Sequence, residues 1–168
     1  MGRLAGVAAL IAAGFAANVV AVGAEPAQST TVMGPSNAQL SDGATALEQG
    51  RVEDGIRLTL EGLLVPSGKQ DQAAGYSNLC AGYAMLQKWD EALQHCNAAI
   101  ELDNNNWRSF NNRAAVYTGK GQYDKAIDDI RAGLRLAPNS RTLNESLRII
   151  EENRRLLASR SRTSVRPP

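Results

Sequence analysis

The 168-residue sequence predicts an all-α fold of stacked helix pairs, and three observations carry that expectation. Residues 73–106 recur as residues 107–140, at an offset of 34 without a gap. Identities fall at Asn78/Asn112, Ala81/Ala115, Tyr83/Tyr117, Asp90/Asp124, Ala92/Ala126, Ala98/Ala132, Leu102/Leu136 and Asn105/Asn139. Within one copy the apolar residues keep helical spacing: Tyr76, Leu79, Cys80 and Tyr83 at i, i+3, i+4, i+7, then Ala92, Leu93, Cys96, Ala99 and Ile100. The composition agrees. It is 43% hydrophobic but only 5% aromatic, with 15 glycines and abundant alanine, which suits closely packed helices better than a sheet.

The segments follow in chain order. Arg3 precedes an uncharged run from Leu4 to Ala24 that ends in Val22-Gly23-Ala24, the pattern of a signal peptide cut after Ala24. The competing reading is a retained membrane anchor, since the run is about long enough to cross a bilayer. Its nine alanines, three glycines and Asn18, with no basic stop behind it, favour cleavage. Residues 25–38 carry Pro, Ser, Thr and Gly without periodicity and read as a flexible linker.

Residues 39–72 form a degenerate first unit. Gly50 takes the turn, Gly55 the small position of the second helix, and Ile56, Leu58, Leu60, Leu63 and Leu64 supply apolar surface. Aligning Gly55 with Ala92 gives a step of 37, which puts three extra residues in a loop over 65–71. Units 73–106 and 107–140 break at Gln87-Lys88 and at Gly119-Lys120-Gly121. Small residues at Cys80/Ala92 and Ala114/Ala126 allow the paired helices to approach closely. Beyond Ser140, a candidate cap, Leu143, Leu147, Ile150 and Leu157 form one stripe of a capping helix over 141–157. Residues 158–168, with Arg160, Arg162 and Arg166 and no acid, read as a disordered basic tail.

This spacing resembles the tetratricopeptide repeat (TPR). Its signature positions fall on Tyr76, Leu79, Cys80, Tyr83, Ala92, Cys96, Ala99 and Asn104, then on Phe110, Arg113, Ala114, Tyr117, Ala126, Ile130, Gly133 and Pro138. Asn104 stands in place of Pro, Gln87 in place of the turn Gly and Arg113 in place of Leu. The resemblance implies a short right-handed superhelix, an α-solenoid of about three TPR helix pairs plus the C-terminal capping helix. It also implies a concave groove, lined by the first helix of each unit, that binds a peptide segment of a protein partner.

By that register the groove candidates are Ser77, Asn78, Met85, Arg108, Asn111, Asn112 and Thr118, with Ala74, Ala81 and Ala115 between them. Asn side chains can bond both N–H and C=O of a bound backbone, and Arg108 can pair with a carboxylate. The alternative is that Asn78 and Asn112 only tie neighbouring helices together. The family's carboxylate-clamp subgroup uses several basic residues in the groove. Here only Arg108 and Arg113 are candidates and no Lys is in place.

Cys80 and Cys96 fall at facing positions of one unit. They would form a disulfide if the chain is exported, or else fill two small-residue positions. His95, the one imidazole, reads as a half-exposed surface residue, and Asp90-Glu91, Asp128-Asp129 and Glu151-Glu152 as solvated helix faces. No phosphate-loop, nucleophile-elbow, zincin or CxxC motif occurs, so no catalytic residue, metal or cofactor is expected. Eighteen basic residues against 17 acidic give a formal net charge of +1, and the cleaved chain would be neutral, so no nucleic-acid partner is expected. The expected role is a non-enzymatic adaptor exported to the periplasm of a bacterial envelope. The alternative is an accessory subunit of an envelope complex, anchored in the inner membrane by residues 1–24.

Overall fold

The computed structural model describes residues 37–164, with side chains as far as Ser159. Among the described residues there are seven helices: α1 (Ala38–Glu48), α2 (Val52–Leu63), α3 (Lys69–Met85), α4 (Trp89–Leu102), α5 (Trp107–Gly119), α6 (Tyr123–Leu136) and α7 (Arg141–Ser164). They pair as α1/α2, α3/α4 and α5/α6, and α7 stacks on the last pair. Each first helix also touches the first helix of the next unit, giving an all-α solenoid whose α1, α3, α5 and α7 lie side by side.

Local chemistry sets where the helices begin and end. Asn37 caps α1 by accepting from the N–H groups of Gln39 and Leu40, and its amide reaches across to the Gly62 carbonyl at 2.6 Å. Asn106 caps α5 and Ser140 caps α7 in the same manner. The second helices α2, α4 and α6 have no such side-chain cap. Instead they carry Glu53 and Asp54, Asp90 and Glu91, and Asp124 in their first turns, against the positive end of the helix dipole.

All three units turn through one left-handed residue: Gly50 (φ 74°), Gln87 (φ 58°) and Gly121 (φ 71°). The next residue then donates to a carbonyl five positions back: Arg51 to Ala46, Lys88 to Tyr83 and Gln122 to Tyr117. Crossing points use minimal side chains. A Cβ on Gly55 would lie 2.6 Å from the Leu47 Cγ, too close for any other residue without displacement.

Among the described residues, Leu40, Leu47, Ile56 and Leu79 are buried towards the N-terminal end, and two further buried clusters follow. Ala114, Ala126, Ile127, Ile130, Leu143 and Ile150 form the C-terminal core, flanked by Trp107, Tyr117 and Leu147. Cys80, Ala84, Ala92, Cys96 and Val116 form the middle one, flanked by Tyr83, Trp89 and Leu93.

Several expectations need correction. The extra residues before the second unit do not all enlarge a loop, because α3 already begins at Lys69 and gains a turn. Of the residues expected in the linker, Ala38 opens α1 and Asn37 caps it. Residues 158–164 continue α7 rather than forming a disordered tail. Leu157 is only partly covered, 51% exposed, where α7 borders residues 121–125 at the start of α6. The expected signal peptide, most of the linker and residues 165–168 lie outside the described residues.

Candidate functional site

The first helices bring the predicted groove residues onto one face, and most of their polar atoms are engaged inside the array. Asn78 donates to the Leu40 carbonyl (3.3 Å). Asn112 donates to the carbonyl (3.2 Å) and hydroxyl (3.1 Å) of Ser77. Ser146 donates its hydroxyl hydrogen to Asn111 Oδ1 (3.0 Å). These contacts are three equivalent rungs, one at each junction between successive first helices. Ser77, Asn111 and Asn112 are buried, and so is Thr118, whose hydroxyl returns to the Ala114 carbonyl of its own helix (2.8 Å). The outer surface is left to Arg108, exposed with its guanidinium 4.6 Å from the Trp107 ring centroid, and to half-buried Ala74, Asn78 and Met85.

Arg113 lies elsewhere. Its Nε and Nη2 bind both carboxylate oxygens of Asp129 (2.8 and 2.7 Å), and Nη1 reaches Asn97 Oδ1 (2.9 Å). Phe110 and Tyr117 flank the guanidinium at 6.0 and 5.9 Å. These hydrogen bonds, donated to the Asp129 carboxylate, raise the Arg113 pKa above its ordinary value, against the opposing effect of burial. The cluster ties α5 to α6 and α4 rather than facing a ligand. Asp129 is therefore buried in a bidentate pair and not on a solvated face, while Asp128 is exposed. Asp129 is the residue that the sequence reading missed. Its signal was present, because Arg113 and Asp129 are 16 apart, the same separation as Cys80 and Cys96.

Cys80 and Cys96 are joined by a disulfide between α3 and α4, with Cα atoms 5.0 Å apart and both residues at 0% exposure. His95 is half-buried and stacks between Tyr76 (6.0 Å) and Tyr83 (5.1 Å), with ring planes within 19° and 17° of parallel. Burial lowers its pKa. Among the described residues, no group of three or more His, Cys, Asp or Glu is placed to hold a metal ion. No helix among them is long and apolar enough to cross a membrane.

Two family profiles described as tetratricopeptide repeat match the chain, one at residues 73–106 and one at 95–128. The first spans α3 and α4. The second enters the same period 22 residues later, from within α4 through α5 into α6. The chain carries tetratricopeptide repeats. Mouse sperm-associated antigen 1 is 31% identical to it over 81 residues, which are 48% of this chain and 9% of the mouse protein. The peptidyl-prolyl cis-trans isomerase FKBP42 of Arabidopsis thaliana is 30% identical over 93 residues, 52% of this chain and 26% of that protein. The second TPR domain of human RPAP3, solved in complex with the HSP70 peptide SGPTIEEVD, superposes with a TM-score of 0.59 at 25% identity. That likeness covers 67% of this chain and 92% of the human domain.

The chain thus spans about a tenth to a quarter of the length of these curated relatives. What it shares with them is the repeat itself. In TPR terms, the rungs join the sixth residue of one unit to the fifth of the unit before, and Arg113 takes the place of the apolar residue that Leu79 supplies one unit earlier.

Proposed function

We propose that this chain is a non-enzymatic TPR adaptor of a bacterial cell envelope, exported to the periplasm, that holds a peptide segment of a protein partner against its α3/α5 face. The observation that carries the reading is the likeness to a TPR domain solved with a bound peptide, over two thirds of the chain. Two features support the compartment. The uncharged run from Leu4 to Ala24 follows a single Arg, and the Cys80–Cys96 disulfide suits an oxidising environment.

A second reading has its own support. Leu60, Leu64 and Val65 are 44%, 84% and 44% exposed on the outer side of the first unit. The residues equivalent to Leu60 and Leu64 in the later units are Asn97 and Glu101, then Arg131 and Arg135. The fold does not need leucines there, and such a patch suits permanent packing against a larger envelope complex, with residues 1–24 retained as an anchor.

Site-specific photocrosslinking separates the two. A crosslinker at the half-buried Met85 captures the partner if the groove is used, and Arg108→Glu weakens that capture. Crosslinking only from Leu64, with none from Met85, overturns the groove reading. Mass spectrometry of the mature protein should find an N-terminus at Glu25. A chain that still contains residues 1–24 favours the anchored subunit.

A further inference from the structure

The two halves of the array are held by different means. The C-terminal core contains Ile127, Ile130, Leu143 and Ile150. Leu79 of α3 is fully buried beside the middle cluster, but the cluster itself has no side chain of that size. It consists of two Cys, two Ala and Val116, with larger residues only at its margin. Where the third unit faces Ala114 against Ile130, the second faces Cys80 against Cys96. An Ile at that position fills space and buries apolar surface, whereas two thiols supply little of either. The second unit is also the hinge of the groove. Through Asn78 helix α3 bonds back to α1, and through Ser77 it receives Asn112 from α5, so two of the three rungs depend on where α3 sits.

We propose that oxidation of Cys80 and Cys96 is the step that assembles the middle repeat, so that the continuous groove belongs to the oxidised chain and is lost in the reduced one. The bond forms by thiol–disulfide exchange with an oxidised dithiol protein or a small-molecule disulfide. One cysteine thiolate attacks the donor disulfide and releases one donor thiol. The second cysteine thiolate then attacks the mixed disulfide and releases the other. Both cysteine thiols lose their protons, the donor takes two electrons and two protons, and the sulfurs join. Once made, the bond is buried and out of reach of soluble thiols while the repeat stays folded. The inference depends on the packing and not on the export reading, which the mature N-terminus tests separately.

Native-state hydrogen exchange on the full mature chain tests it, with and without a phosphine reductant. On reduction the amides of α3 and α4 should exchange on the order of 100-fold faster, while those of α6 and α7 keep their protection. Both cysteines should then alkylate readily. Unchanged protection in α3 and α4, or thiols that stay shielded from alkylation, would overturn the proposal. So would a loss spread equally over α6 and α7, since that would be global destabilisation. The double variant Cys80→Ala/Cys96→Ala should show the reduced pattern without reductant and no response to it. Wild-type protection in that variant would show that small-residue packing alone suffices. If the variant does not fold, the reduced native chain still decides.

Discussion

Gln87 occupies with φ 58° the turn position that Gly50 and Gly121 fill in the neighbouring units. A side chain in left-handed backbone costs about 1 kcal/mol, and only glycine escapes the cost. Gln87 is exposed, so no packing would be lost with it. Gln87→Gly should therefore raise the unfolding free energy by about 0.5–1 kcal/mol in urea titrations. A decrease would mean that the Gln side chain holds a contact the turn needs. His95 gives a pH signature. Burial favours its neutral form, so the unfolded chain binds the proton more tightly than the folded one. Stability is then fully present above the ordinary imidazole pKa of about 6.5 and is lost as pH falls below it. Urea midpoints at pH 7.5 and 5.5 should differ in this direction for the native chain. The difference should shrink in His95→Gln, and an equal pH response in both would rule out His95 as its source.

At the scale of helices, the rungs decide how firmly successive first helices register. Removing the Asn112 amide leaves Ser77 without its cross-helix donor, so Asn112→Ala should cost about 1–2 kcal/mol. Asn78→Ala acts at the neighbouring junction, and because Ser77 and Asn78 are adjacent on α3 the two substitutions should couple in a double-mutant cycle. Simple additivity would show instead that each rung acts independently. The sequence made α3 to α6 legible because three things repeat at one period: the small contact residues, the left-handed turn residue and the acidic first turn. What it concealed depends on three-dimensional neighbours. Asn78 and Asn112 look identical whether they meet a peptide or the preceding helix, and the distances decide for the helix. Asp129 beside exposed Asp128 looks solvated until Arg113 is seen on the facing helix. The Arg- and Ser-rich stretch after Ala158 lacks an apolar pattern. Yet it contains no Gly or Pro to stop α7 before Ser164, so the helix runs on.

For the molecule as a whole, both ends of the stack present polar faces. The outward side of α1 carries Asp42 and Thr45, and that of α7 carries Asn144, Arg148 and Glu152, all exposed. The helix α7 therefore does two separable jobs along its length. Its first half covers Ala114, Ile127 and Ile130 with Leu143, Leu147 and Ile150. Its second half contributes exposed Leu156 and Leu157 and the surface pair of Arg154 with Asp124 at 2.7 Å. Exposed ion pairs contribute at most about 1 kcal/mol. A chain ending after Asn153 should then unfold within about 1 kcal/mol of the full chain, with the same urea dependence. A chain ending after Asn144 loses Leu147, Ile150 and the Ser146 rung. Each large core side chain is worth roughly 2–5 kcal/mol, so together they approach the whole stability of an ordinary domain, about 5–15 kcal/mol. That shorter chain should lose its cooperative transition in circular dichroism. Retention of the transition would mean that the three helix pairs close their own core without the cap, and large destabilisation by the longer truncation would place an unrecognised contact on the overhanging turns.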